Sequence, residues 1–220
     1  MARVFAEAEL PHWRATQDTR DRLDLVTEHV PVAARRLRAD RTVYHPGDTD
    51  GAHYNVGCDQ VFVVLEGSGL MHAGEAVFRL GAEMAAAVAE GEVHWLENDT
   101  DADFVFVELW APPPAETVWV DAADTARGDG VPEFTARVVE DVAFSGIAVS
   151  GLVARVAELG PGGQMELAGE GETMTYVIAG RGSSALGALE PESLVWLDPG
   201  DALELEAGPG GLRLLVAHAR

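Results

Sequence analysis

The chain of 220 residues carries 37 acidic against 15 basic side chains and a net charge of -22, a balance that repels nucleic acid and anionic membranes. No apolar run approaches the roughly 20 residues of a bilayer-spanning helix, and MARVFAEAELPHW lacks the basic start and apolar stretch of a secretion signal, so a cytoplasmic globular protein is expected. Cys58 is the single cysteine and every basic residue other than histidine is arginine, which excludes an internal disulfide framework, multi-cysteine metal sites and lysine Schiff-base chemistry.

In chain order, a short helix is expected near Val32 to Arg38, followed by strand-like runs rich in valine, leucine and phenylalanine: QVFVVLEG, EAVFRLG and FVFVELW. A second short helix is expected around Ala122 to Ala126, and then the strands TMTYVIAGRG and LRLLVAHA. Glycine, proline and aspartate separate these runs, the pattern of an all-β sandwich or barrel. The second half echoes the first. VVLEGSG at Val63 to Gly69 returns as YVIAGRG at Tyr176 to Gly182, and HPGD at His45 to Asp48 returns as GPGG at Gly160 to Gly163. A duplicated barrel follows, with its seam in the stretch from Pro112 to about Glu133, where APPPAE interrupts strand pairing.

Polar residues concentrate in GDTDGAHYNVGCDQVFVVLEGSG, from Gly47 to Gly69. In a strand His53 and Asn55, two apart, project to one face, and Gln60 shares a face with Phe62 and Val64 on the next strand. His94, in AEGEVHWLEN, can join them from a distant strand.

The spacing Gly47, five residues, His53, one residue, Asn55, four residues, Gln60, six residues, Gly67 resembles the first signature of the cupin superfamily. Gly91, two residues, His94, three residues, Asn98 resembles the second, with Ala89 where a proline usually stands. The resemblance implies an all-β bicupin: two tandem jelly-roll barrels with few short helices, residues 1–115 holding the metal and residues 116–220 degenerate and metal-free. It also implies one divalent transition metal ion, zinc or iron first, manganese or nickel next, held by His53, Gln60, His94 and Asn55. His45 is a further imidazole if it points inward. Asn55 and Gln60 stand where the family pattern has histidine and glutamate, which leaves the ion its full charge. Zinc-dependent polyketide cyclases of the cupin type offer a precedent for a glutamine ligand.

The inward candidates Phe62, Val64, Trp95, Phe104 and Phe106 suggest a dry, partly aromatic lining suited to a small planar or aromatic molecule, with Tyr44 as a proton-transfer partner. The expected function is a metal-dependent enzyme of non-redox cyclase, isomerase or lyase type. The alternatives are a non-haem iron dioxygenase and a non-catalytic small-molecule-binding bicupin. In the second half Glu166, Ala168 and Thr173 fall in the ligand slots, so that barrel is assigned to packing or to a homodimer interface. The glutamates of GEGE read as solvated.

Overall fold

The computed structural model describes residues 1–14, 20–74, 76–121, 137–139, 146–149 and 151–220. The first half contributes β1 (Arg3–Phe5), β2 (His12–Arg14), β3 (Asp21–Val26), β4 (Arg38–Tyr44), β5 (His53–Val56), β6 (Asp59–Glu66), β7 (Ser68–Ala73), β8 (Ala76–Gly81), β9 (Ala85–Val88), β10 (His94–Glu97) and β11 (Phe104–Ala111). Then come β12 (Glu116–Trp119), β13 (Arg137–Val139), β14 (Ile147–Val149), β15 (Leu152–Leu159), β16 (Gln164–Ala168), β17 (Glu172–Ser184), β18 (Gly187–Leu189), β19 (Leu194–Leu197) and β20 (Ala202–Ala219). The 3-10 turn Glu7–Glu9 is the only helical segment among the described residues. None of them forms a helix long and apolar enough to cross a membrane.

The all-β expectation holds. In the first barrel a five-stranded sheet, β12-β5-β10-β7-β8, faces a seven-stranded one, β13-β9-β6-β11-β4-β3-β2. The second barrel is one eight-stranded system, β1-β19-β17-β20-β15-β14, with β16 on β20 and β18 on β17. The long strands β17 and β20 run through it from end to end.

Sheet membership does not follow the division between residues 115 and 116. β12 pairs with β5 and β13 with β9, so both complete the first barrel, whereas β1 pairs with β19 in the second. The proline-rich stretch at residues 112–114 breaks one strand, but the chain re-enters the same barrel afterwards.

Alternation explains how the barrels meet. Val61 and Val63 on β6 and Val107 and Leu109 on β11 turn their side chains out of the first barrel, and they pack with Met174, Tyr176, Trp196 and Leu215 of the second in one apolar cluster. Each such side chain contributes about 1.5–3 kcal/mol when fully buried. A polar clamp reinforces the seam: Glu172, buried on β17, accepts hydrogen bonds from the backbone N–H groups of Arg35 (2.7 Å), Arg36 (2.7 Å) and Leu37 (2.9 Å). This corrects two expectations. Residues 32–37 form no helix, because a carboxylate from the other barrel takes three consecutive N–H groups, and Glu172 is not a solvated loop residue. The helix expected at Ala122 to Ala126 lies outside the described residues.

Candidate functional site

Strand pairing assembles the histidines. β5 buries His53 and Asn55 on its inner face while Tyr54 and Val56 point the other way. β10 sets His94 directly opposite His53, with ring centroids 4.5 Å apart. Gln60, buried at the start of β6, reaches the pair from the facing sheet: its Oε1 lies 2.9 Å from His94 Nε2.

Both imidazoles are fixed from behind. His53 Nδ1–H donates to the Gly51 carbonyl at 2.9 Å and His94 Nδ1–H to the Glu92 carbonyl at 2.8 Å. A carbonyl only accepts, so each ring carries its proton on Nδ1 and presents an Nε2 lone pair, the preparation that metal-ligating histidines require. Burial, and then the neighbouring His53, push His94 down to about 3, so it is neutral at physiological pH. His94 Nε2 and Gln60 Oε1 are therefore two acceptors facing each other, an arrangement that a shared cation relieves. The donor chemistry thus fits a metal ion held by His53, His94 and Gln60. No cluster of three or more His, Cys, Asp or Glu side chains suited to a metal exists among the described residues, so such an ion would depend on the amide oxygen.

Asn55 has another task. Its Nδ2 donates to Gln60 Oε1 at 2.9 Å, and its Oδ1 accepts from Thr117 Oγ1 at 2.7 Å. Both ends are engaged, so it orients Gln60. Thr117 arrives because β12 pairs in register with β5, and the same register lays Trp119 against His53 at 4.9 Å.

The remaining motif positions build the loops. Gly67 has φ +72°, and a Cβ there would lie 2.0 Å from the Asp103 carbonyl oxygen, so no other residue fits. Asn98 is fully buried; its Nδ2 donates to the Tyr44 and Ala102 carbonyls at 2.8 Å each. At Ala89, in the usual proline slot, the backbone N–H donates to Glu92 Oε2 at 2.7 Å. Proline has no such donor.

Several expected site residues stand elsewhere. His45 faces away, held between Asp103 (2.9 Å) and Asp21 (3.1 Å), which raise its pKa against the opposing effect of burial. Tyr44 is fully buried and accepts a hydrogen bond from Arg20 at 2.9 Å. Burial raises its pKa well above the ordinary value, so it is a poor proton-transfer group. Phe62, Val64, Phe104 and Phe106 do face inward, but they pack with Met71 and Leu80 as a closed apolar plug. Trp95, adjacent to His94, takes the opposite face and stacks on His72 at 4.4 Å. Alternation along β10 demands this.

A polar wall replaces the aromatic one. Register across β4, β11 and β6 aligns Arg38, Trp110 and Gln60 in one row, and Asp40, Glu108 and Phe62 in the next. Arg38, Trp110 and Glu108 of these rows, with Arg20, Arg22 and Asp50, line a cavity of about 150 Å³ that also touches His53, Asn55 and Trp119. Burial, and next the facing Asp40, push Glu108 up to about 8, so its carboxyl keeps its proton at neutral pH. Burial likewise raises Asp40 and Asp50.

Residues 40–111, which include every donor of this cluster except Thr117, match the cupin domain family. That segment carries a cupin domain, and the whole chain has the two-barrel cupin fold. Among solved structures the chain is similar to the bacterial pirin YhhW from Escherichia coli in complex with nickel(II), at 14% identity, with a TM-score of 0.76 and coverage of 100% of this chain and 99% of the other. Salicylate 1,2-dioxygenase from Pseudoaminobacter salicylatoxidans, in adducts with gentisate, is similar at 13% identity and TM-score 0.68, over 99% of this chain and 80% of that one. A variant of oxalate decarboxylase from Bacillus subtilis follows at 11% identity and TM-score 0.70, over 99% and 77%. At these identities the likeness establishes the fold. No curated protein sequence matches the chain.

In the second barrel the expected slots hold no comparable cluster among the described residues. Glu166 and Ala168 are exposed on β16 while Leu167 points inward. Leu167, Val177, Val195, Leu203, Leu214 and their neighbours fill the interior.

Proposed function

We propose that this cupin is a metal-dependent enzyme acting on a small organic molecule by non-redox chemistry of the cyclase, isomerase or lyase type. The observation that carries the proposal is the pair of imidazoles, each anchored through Nδ1–H to a backbone carbonyl, with His94 Nε2 2.9 Å from Gln60 Oε1. His53, His94 and Gln60 would hold a divalent transition metal ion, and Asn55 and Thr117 would keep the amide oxygen turned inward. Such an ion supplies Lewis acidity toward a substrate oxygen.

The chain supplies the rest. Trp110 and Trp119 give the cavity flat walls that suit a planar molecule. Arg20 and Arg38, which line the same cavity, orient polar groups of the substrate. Glu108, protonated at neutral pH inside the same cavity, is placed to give a proton to a developing enolate or alkoxide and to take it back. It is better suited to this work than Tyr44, whose phenol is tied to Arg20.

Metal analysis and oxygen uptake on protein purified without chelator test the reading. About one zinc, nickel or manganese per chain, lost in His53→Ala, and turnover without oxygen uptake are expected. Stoichiometric iron with substrate-dependent oxygen consumption would replace the non-redox chemistry by that of a dioxygenase. Metal content unaffected by His53→Ala and His94→Ala would leave a non-catalytic binding protein.

A further inference from the structure

The cavity also specifies what it receives. Arg38 lies over Trp110, 5.4 Å from guanidinium carbon to ring centroid, and its Nε is buried with no hydrogen-bond partner among the described residues. A buried donor without an acceptor costs about 1–3 kcal/mol, and this one belongs to a side chain that lines the cavity beside Arg20 and Arg22. Arg20 and Arg22 each face a carboxylate, with Asp40 lying 3.8 Å from Arg22. Asp50 accepts a backbone hydrogen bond from Leu96 at 2.6 Å and lies 4.0 Å from Arg20, while Glu108 holds its proton at neutral pH. The candidate metal ligands His53, His94 and Gln60 include no carboxylate, so a cation bound by them would keep its whole charge. Among the described residues Arg38 makes no ion pair, so its guanidinium lacks the carboxylate that Arg20 and Arg22 have.

We infer that the missing charge comes from the ligand: the site takes a small organic carboxylate, oriented by Arg38 with its planar body against Trp110. A guanidinium fixed by stacking on an aromatic face presents its donors in the plane that a carboxylate occupies, which a lysine would not do. This inference rests on the reading of the cavity as the active site, and it adds the class of substrate.

Calorimetric titration of the full chain with benzoate against benzamide, and with malonate against malonamide, tests it. Each pair differs in charge while nearly preserving shape. Saturable binding of at least one carboxylate at millimolar concentration, no binding of its amide, and a loss of about tenfold or more in Arg38→Met are expected, the size of a charge-assisted hydrogen bond. Equal binding of carboxylate and amide, or no binding of either carboxylate, would overturn it, and these arms need no variant to fold. Unchanged affinity in a folded Arg38→Met would overturn it as well. Metal content is measured on the same samples and on chelator-treated protein. Carboxylate binding that persists without metal and falls in Arg38→Met supports this inference whatever becomes of the metal site.

Discussion

The two barrels share an architecture and differ in what their inner faces carry. In the first, adjacent rows across β4, β11 and β6 hold arginine, carboxylic acid and amide side chains, and the cavity beside them reaches His53. In the second, the corresponding interior is packed with leucine and valine. A barrel filled by its own side chains has stability and no room, and one that keeps buried polar groups has less favourable burial and a site. The division of labour lets the second barrel and the shared apolar seam bear the cost of the polar first interior.

That division can be broken most forcefully at the seam. Trp196 is fully buried there, and Trp196→Ala is expected to cost about 3–5 kcal/mol in denaturant unfolding. The loss should lower the unfolding midpoint of both barrels together; independent transitions would show that the second barrel does not support the first. Glu172→Ala removes the acceptor of three backbone N–H groups and should cost about 2–4 kcal/mol, measured the same way. Within the polar barrel, Thr117→Val frees Asn55 to turn and should weaken metal affinity about tenfold with little change in stability, read by competition with a chelating dye. Glu108 gives the comparison a pH signature. Its folded-state pKa of about 8 exceeds its ordinary value of 4.5, so its contribution to stability is complete below pH 4.5 and is lost as pH rises through 8. Glu108→Gln should flatten that part of the stability profile. Smallest of all, Glu166→Gln on the exposed face of β16 should change stability by less than about 0.5 kcal/mol.

Alternation read along single strands found the centre of the site and missed its wall. His53 and Asn55 share a face because they are two residues apart, and the same rule places Tyr54 outside. Applied to HWLE it also sends Trp95 away from His94, so that its placement in the lining conflicted with the rule itself. The wall was harder to see. In RADRTVY the side chains of Arg38, Asp40, Thr42 and Tyr44 alternate with Ala39, Arg41 and Val43, and a charged face of that kind ordinarily faces water. Only pairing with β11 turns it inward. The legible signal was Glu108, a lone acid in the apolar run FVFVELWA, which has to meet other polar groups wherever that strand is buried on both faces. Thr117 and Trp119 follow a proline-rich stretch that reads as the end of a domain, and their return to β5 is a tertiary event without a local cue. Gln60 and His94, by contrast, were identified by motif spacing, because their loops need glycine at fixed positions such as Gly67.

Cobalt(II) titration of the full chain, followed by its visible ligand-field absorption, tests the difference between the barrels most directly. The wild type and Thr173→Ala should each saturate at one equivalent, whereas His53→Ala and His94→Ala should give only the spectrum of aqueous cobalt. Bands that survive in both histidine variants, or that disappear in Thr173→Ala, would contradict the assignment of the metal centre to the first barrel.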